Sequence, residues 1–173
     1  LVYEDREGRL WMRNISTGRL ICVIGDKVHR YGPADGVVGM STMWTLEDPD
    51  GTLWFAEATG LVRFRNGEFR SFTKEDGLPS SFVNGVFRDR EGTHWVSTQG
   101  GLARLTEQPI ASFSKADGLA ARNIYPVLQD RRGDIWIGGW TGLTRYRNGR
   151  FEDVSRAAGL VNRNVFSLLE TSD

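Results

Sequence analysis

His29 and His94 are the chain's two histidines, and neither sits in a His-x-x-x-His or paired Cys/His spacing. A zinc site, which takes four such ligands at characteristic intervals, is therefore not expected. The single cysteine, Cys22, lies in the run Leu20-Ile21-Cys22-Val23-Ile24. There a thiol reads as a small apolar core group, and alone it cannot close an internal disulfide. Four Asp-x-x-Gly segments start at Asp5, Asp48, Asp89 and Asp130 and end at Gly8, Gly51, Gly92 and Gly133. Calcium needs six or more oxygens. These segments hold one or two carboxylates each, and Arg90, Arg131 and Arg132 stand inside two of them. An acceptor side chain followed three residues on by a glycine describes a tight turn instead. The expectation is a chain with no catalytic residue, no metal and no cofactor.

Binding chemistry is better supplied. Trp140 has no aromatic counterpart at the equivalent positions of the repeat described below, Ala58 and Gln99. An exposed indole can stack its apolar face on the C–H groups of a sugar ring. Arg122 and Arg163 stand at equivalent positions of successive units and could jointly address a carboxylate or sulfate through bidentate hydrogen bonds. Gln99 and Glu57, read with Trp140 as loop residues, complete the candidate ligand-binding set.

Composition narrows the partners. Among 173 residues, 22 Lys and Arg balance 22 Asp and Glu, giving zero formal charge. A general nucleic-acid surface needs excess positive charge, so nucleic acid is not an expected partner. No apolar run approaches the roughly 20 residues required to span a bilayer, so this segment does not insert into a membrane. Leu1 opens in the middle of a repeat, and a trimmed stretch of a longer protein is expected.

The repeat is what must position these side chains. Tryptophan recurs at Trp11, Trp54, Trp95 and Trp136, at intervals of 43, 41 and 41. Gly36, Gly77, Gly118 and Gly159 keep an interval of 41, as do Gly60-Leu61, Gly101-Leu102 and Gly142-Leu143. A period near 40 to 45 with short strands is a propeller pattern. Each unit reads as four strands: in the third, 83–87, 94–97, 102–105 and 110–114, with Glu107-Gln108-Pro109 before the last. Asn66-Gly67 and Asn148-Gly149 predict two-residue type I′ hairpins between the third and fourth strands. His94 then falls inside a second strand, partly buried, His29 on an outermost strand, solvated, and Trp44 beside the central channel. Asn123 and Asn164 are expected to close their own turns, and Met40-Ser41 to lead into an innermost strand.

The fold expected is all-β: a β-propeller fragment of four four-stranded antiparallel blades, with no helix. Blade 1 runs over about 1–36, blade 2 over 37–77, blade 3 over 78–118 and blade 4 over 119–159, with the start of a further blade at 160–173. The four tryptophans, with Asp48, Asp89, Asp130, Gly51, Gly92 and Gly133, are read as structural. Both faces of a blade pack on neighbours, so an open arc leaves apolar faces bare. Further blades of the same ring would cover them; closure of four blades, or pairing with a second copy as a homodimer, would serve the same end.

Leu128-x-Asp130-Arg131-Arg132-Gly133-Asp134-Ile135-Trp136-Ile137-Gly138, then Thr141-Gly142-Leu143-Thr144-Arg145-Tyr146, Asn148-Gly149-Arg150-Phe151 and Ala158-Gly159-Leu160, resembles the two-component regulator propeller repeat. Glu47 to Trp54 matches as well; unit one, with two extra residues after Trp11 and Gly25-Asp26 in place of Asn-Gly, matches least. The resemblance implies seven-bladed rings, often in tandem, forming the periplasmic sensor region of membrane-bound hybrid histidine kinases or diguanylate cyclase regulators, several associated with oligosaccharides. It implies a non-catalytic ligand sensor in the extracytoplasmic part of an inner-membrane protein; a protein-interaction or dimerisation scaffold is the alternative. Trp54-Phe55-Ala56-Glu57 also resembles streptogramin lyase, which would imply a histidine base and magnesium on one face of the ring.

Overall fold

A computed structural model describes residues 2–14, 16–37, 39, 41–106, 110–160 and 163–171. Met40 and the Glu107-Gln108-Pro109 segment lie outside the described residues. Among the described residues, sixteen strands form four separate antiparallel sheets, each built from four consecutive strands in chain order. The first holds β1 (Val2–Glu4), β2 (Leu10–Asn14), β3 (Arg19–Ile24) and β4 (Lys27–Tyr31). The second holds β5 (Thr42–Glu47), β6 (Leu53–Glu57), β7 (Gly60–Arg65) and β8 (Glu68–Phe72). The third comprises β9 (Val83–Arg88), β10 (His94–Thr98), β11 (Gly101–Leu105) and β12 (Ala111–Phe113). The fourth comprises β13 (Ile124–Gln129), β14 (Ile135–Gly139), β15 (Gly142–Arg147) and β16 (Arg150–Asp153). These are the blades of a propeller.

The turns form for the reasons their residues give. Asn66 and Gly67 both take positive φ (52° and 82°), as do Asn148 and Gly149 (50° and 78°), the geometry of a type I′ hairpin. In each Asp-x-x-Gly turn the glycine N–H donates to the aspartate carbonyl, at 2.9 to 3.1 Å. One helical feature departs from expectation. Single 3₁₀ turns at Pro33–Asp35, Lys74–Asp76 and Lys115–Asp117 join the fourth strand of one blade to the first strand of the next. The second and third arise from reciprocal capping, in which Asp76 accepts the Thr73 N–H and Thr73 accepts the Glu75 N–H, and Asp117 and Ser114 repeat the arrangement; at the first, Asp35 accepts the Gly32 N–H alone.

Each aspartate also braces its tryptophan. Oδ2 of Asp5, Asp48, Asp89 and Asp130 accepts the Nε1–H of Trp11, Trp54, Trp95 and Trp136, six residues on, at 2.6 to 2.8 Å. The indole can thus be buried with its one polar atom satisfied. Trp11, Trp54 and Trp95 are buried between blades, whereas Trp136 in the fourth blade is only partly so.

There is no single core. Apolar side chains gather in three clusters, one at each junction between successive blades: Trp11 with Phe55 and Phe64, Trp54 with Val86 and Val96, Trp95 with Ile135 and Ile137. Polar clasps repeat beside them. Glu47 accepts the Arg6 N–H, Gln129 the Arg90 N–H and Glu170 the Arg131 N–H, each carried from one blade's turn to the next blade. At the remaining junction the donor position is Pro49, which has no N–H. There the acceptor is replaced by Arg88, which instead reaches Asp48 at 3.5 Å. Residues 163–171 form no strand, since no second strand of their own unit lies among the described residues. They are held to the fourth blade by the Val165 N–H donating to Gly139 and by the Glu170 clasp.

Candidate functional site

Inner strands β5, β9 and β13 all carry a bulge at the same repeat position. Thr42 pairs with Glu57 and Trp44 with Ala56, so Met43 is left out of the ladder. Val83 pairs with Thr98 and Gly85 with Ser97, leaving out Asn84. In β13 the ladder skips Tyr125 and also Pro126, which cannot donate. A bulge re-aims the side chain it extrudes, and here it delivers a varied set to the concave face. Trp44, Asn84, Gly85, Tyr125, Pro126 and Phe166 line a cavity of about 420 Å³. Phe166 meets Tyr125 edge-on at 5.1 Å. Trp44 is 55% exposed and Phe166 59% exposed. Asn84 Nδ2 donates to Asn123 Oδ1 (3.1 Å) and to the Ile124 carbonyl (2.6 Å), tying blade 3 to blade 4. Asn123 thus bonds across blades rather than closing its own turn.

Above this wall, the first residue of each turn between the second and third strands is fixed to the segment preceding its own inner strand. The N–H groups of Ala58, Gln99 and Trp140 donate to Ser41, Phe82 and Asn123 carbonyls, at 3.1 to 3.3 Å. Trp140, 52% exposed, is thereby held beside the Arg122-Asn123 segment. The Val165–Gly139 bond brings the segment after Arg163 to the same rim. Arg122 and Arg163 are exposed, and neither side chain makes a hydrogen bond or ion pair to a described residue. Gln99 occupies the rim one blade earlier and is exposed.

Glu57 is not a loop residue. It is the last residue of β6, paired with Gly60, and its side chain is fully buried between blades 1 and 2. The carboxylate meets the Arg13 guanidinium and accepts the Thr42 hydroxyl at 2.7 Å. Burial pushes its carboxyl above the usual carboxylate range, against the pull of Arg13 and Thr42. The turn begins one residue later than the sequence suggests, and this places Glu57 inside the junction.

His94 lies partly buried on β10, its Nε2 2.9 Å from both Asp48 carboxylate oxygens and its ring 4.7 Å from Trp54. His29 is exposed on β4. Among the described residues no three His, Cys, Asp or Glu side chains group as metal ligands. The bulge residues Met43, Asn84 and Tyr125 escape a reading confined to loops. Their signal is variation at one repeat position within an otherwise regular strand.

The family described as two component regulator propeller matches residues 77–100 and 118–141. No curated protein matches the chain. Its fold is that of the extracellular domain of a hybrid two-component system from B. thetaiotaomicron, at TM-score 0.76 and 20% identity, over 100% of this chain and 25% of that one. A second such domain from the same organism gives 0.59 and 20%, over 89% of this chain and 24% of that one. A catalytically inactive virginiamycin B lyase from Staphylococcus aureus with quinupristin gives 0.65 and 17%, over 88% and 53%. The chain thus spans about a quarter of the extracellular domains and about half of the lyase. No helix among the described residues is long and apolar enough to cross a membrane. The two matched stretches fall in the third and fourth blades, which there are similar to two-component regulator propeller repeats.

Proposed function

We propose that the chain is a non-catalytic ligand-reading stretch of a sensor propeller in a bacterial two-component regulator, lying on the extracytoplasmic side of the inner membrane. The ligand is an oligosaccharide. One observation carries the reading: exposed Trp44 and Phe166 line one cavity, and exposed Trp140 stands at its rim beside the Arg122-Asn123 segment, Arg122 and Arg163 having no side-chain partner among the described residues. Large exposed aromatics cost free energy unless something covers them. Flat apolar rings beside hydrogen-bond donors suit a sugar's C–H faces and hydroxyls or carboxylates. Further blades of the same ring would complete the wall opposite β5, β9 and β13. The extracellular neighbours support the compartment and the signalling context.

The test is tryptophan fluorescence of the full chain against neutral and acidic oligosaccharides. Saturable quenching is expected, weakened about tenfold in Trp140→Ala, the loss of one stacking contact. Arg122→Ala should weaken acidic sugars more than neutral ones. Absence of any binder, with signalling insensitive to both substitutions, would favour a scaffold that only transmits dimerisation.

A further inference from the structure

One position on the third strand of blades 2, 3 and 4 is always arginine: Arg63, Arg104 and Arg145. Each guanidinium lies about 6 Å from an aromatic ring of its own blade, Phe72, Trp95 and Trp136 respectively. What differs is the residue directly opposite on the fourth strand. In blade 4 it is Glu152, which pairs with Arg145 at 2.6 Å. In blade 3 it is Ala111, and Arg104 reaches the Tyr146 hydroxyl at 3.4 Å. In blade 2 it is Arg70.

Like charges directly opposite on one face of a sheet repel. Arg63 and Arg70 are nevertheless drawn to one ring, 6.0 and 4.8 Å from the Phe72 centroid. Neither makes a hydrogen bond or ion pair to a described residue; Arg63 Nε is buried without an acceptor, as are Arg104 Nε and Arg145 Nε in the next two blades. Burial, then the charges of Arg70 and Arg65, push the Arg63 pKa down. Arg65, two residues along the same face, meets only Asp50 among the described residues, at 3.4 Å between exposed side chains. The three arginines line a cavity of about 610 Å³ in the cleft between blades 2 and 3, opposite His94. Asp76 also lines it, but its carboxylate accepts the Thr73 N–H and hydroxyl. Both blades that form the cleft are present in this chain.

We infer that this lateral cleft binds a small oxyanion group, a sulfate or carboxylate, held between the guanidinium groups of Arg63 and Arg70. The anion takes the place that Glu152 fills in blade 4. It relieves the cross-strand repulsion between the two guanidinium groups. Planar guanidinium donors match such an anion bidentately. The site shares no residue with the concave face, so either reading can fail without the other.

The experiment is a titration of the full chain with sodium sulfate at constant ionic strength, read from the arginine Nε–H resonances. A saturable shift of the Arg63 signal is expected. Arg70→Glu, which copies the Arg145–Glu152 arrangement, should weaken sulfate binding about a hundredfold without lowering the unfolding midpoint. Arg70→Gln, which keeps the stem but drops the charge, should weaken it about tenfold. Equal affinity in all three proteins, or no saturable shift in the unsubstituted chain, overturns the inference. A sulfated disaccharide binding tenfold tighter than sulfate, with its unsulfated parent silent, identifies an ester-borne group. Equal affinity for sulfate and the sulfated sugar identifies the free ion.

Discussion

At the scale of single residues, Asp5, Asp89 and Asp130 divide their carboxylates between two jobs, whereas at Asp48 the turn amide of Thr52 donates to Asp50 and the free oxygen meets His94. One oxygen closes the turn: Asp89 Oδ1 accepts the Thr93 N–H at 2.7 Å, and Asp130 Oδ1 accepts the Arg132 and Asp134 N–H groups. The other oxygen satisfies the indole, so one deletion disturbs both a hairpin and a blade junction. Asp89→Asn replaces an acceptor by an amide that cannot serve both donors, and should cost about 1–3 kcal/mol in urea unfolding. Acid should act through the same groups. Burial raises the Asp5 and Asp130 pKa, but hydrogen bonds from Trp11 and Arg9, and from Trp136 and the turn amides, outweigh it and hold both below the ordinary 3.8. A carboxylate depressed in the folded state contributes stability above its unfolded pKa and loses it as pH falls through its folded value. Unfolding midpoints should therefore drop below about pH 4, and the drop should be smaller in Asp130→Asn; an unchanged acid limb in that variant would count against this role.

At the scale of elements, the repeated glycines before leucine show why a landmark recurs. Gly60 and Gly101 open the third strand of their blades with φ near 150°, and a Cβ on either would strike the carbonyl oxygen of Phe72 or Phe113, 2.6 Å away in the first case. Gly101→Ala must push β12 away from β11, and should cost more than about 3 kcal/mol, because both strain and a backbone clash oppose it. Thermal unfolding of the variant measures this; a loss below 1 kcal/mol would mean that β12 yields easily. The strands and hairpins were legible because turn residues and tryptophans recur at a fixed interval, and a repeat multiplies each local signal. The bulges at Met43, Asn84 and Tyr125 were not, since an extruded residue has no signature of its own and shows only as variation between units. Glu57 was misplaced because a turn shift of one residue moves a side chain from solvent into a junction. The aspartate–indole bonds depend on a six-residue spacing present throughout, and the Pro49–Arg88 exchange was equally open to a reading that aligned the units.

At the scale of the molecule, burial is divided among three junctions, so stability should be distributed along the chain rather than concentrated. In such arrays stability sums the intrinsic terms of each unit with those of nearest-neighbour interfaces. Blades 2 and 3 have a neighbour on both sides; β6 is buried along its whole length and β10 at every residue but His94. Blades 1 and 4 have one neighbouring blade each in this chain, and Trp136 is only partly covered although its aspartate bond is intact. Backbone amides exchange through local openings whose free energy follows the contacts broken. Hydrogen exchange of the chain should therefore be slowest in β6 and β10, intermediate in β2 and β14, and fastest in the outermost strands β4 and β16. Arg13→Leu, which strands the buried Glu57 carboxylate at the first junction, should speed exchange in blades 1 and 2 while leaving blade 4 unchanged. Uniform acceleration across all four sheets would show that the blades open as one cooperative body, and the junctions could then no longer be treated as separate interfaces.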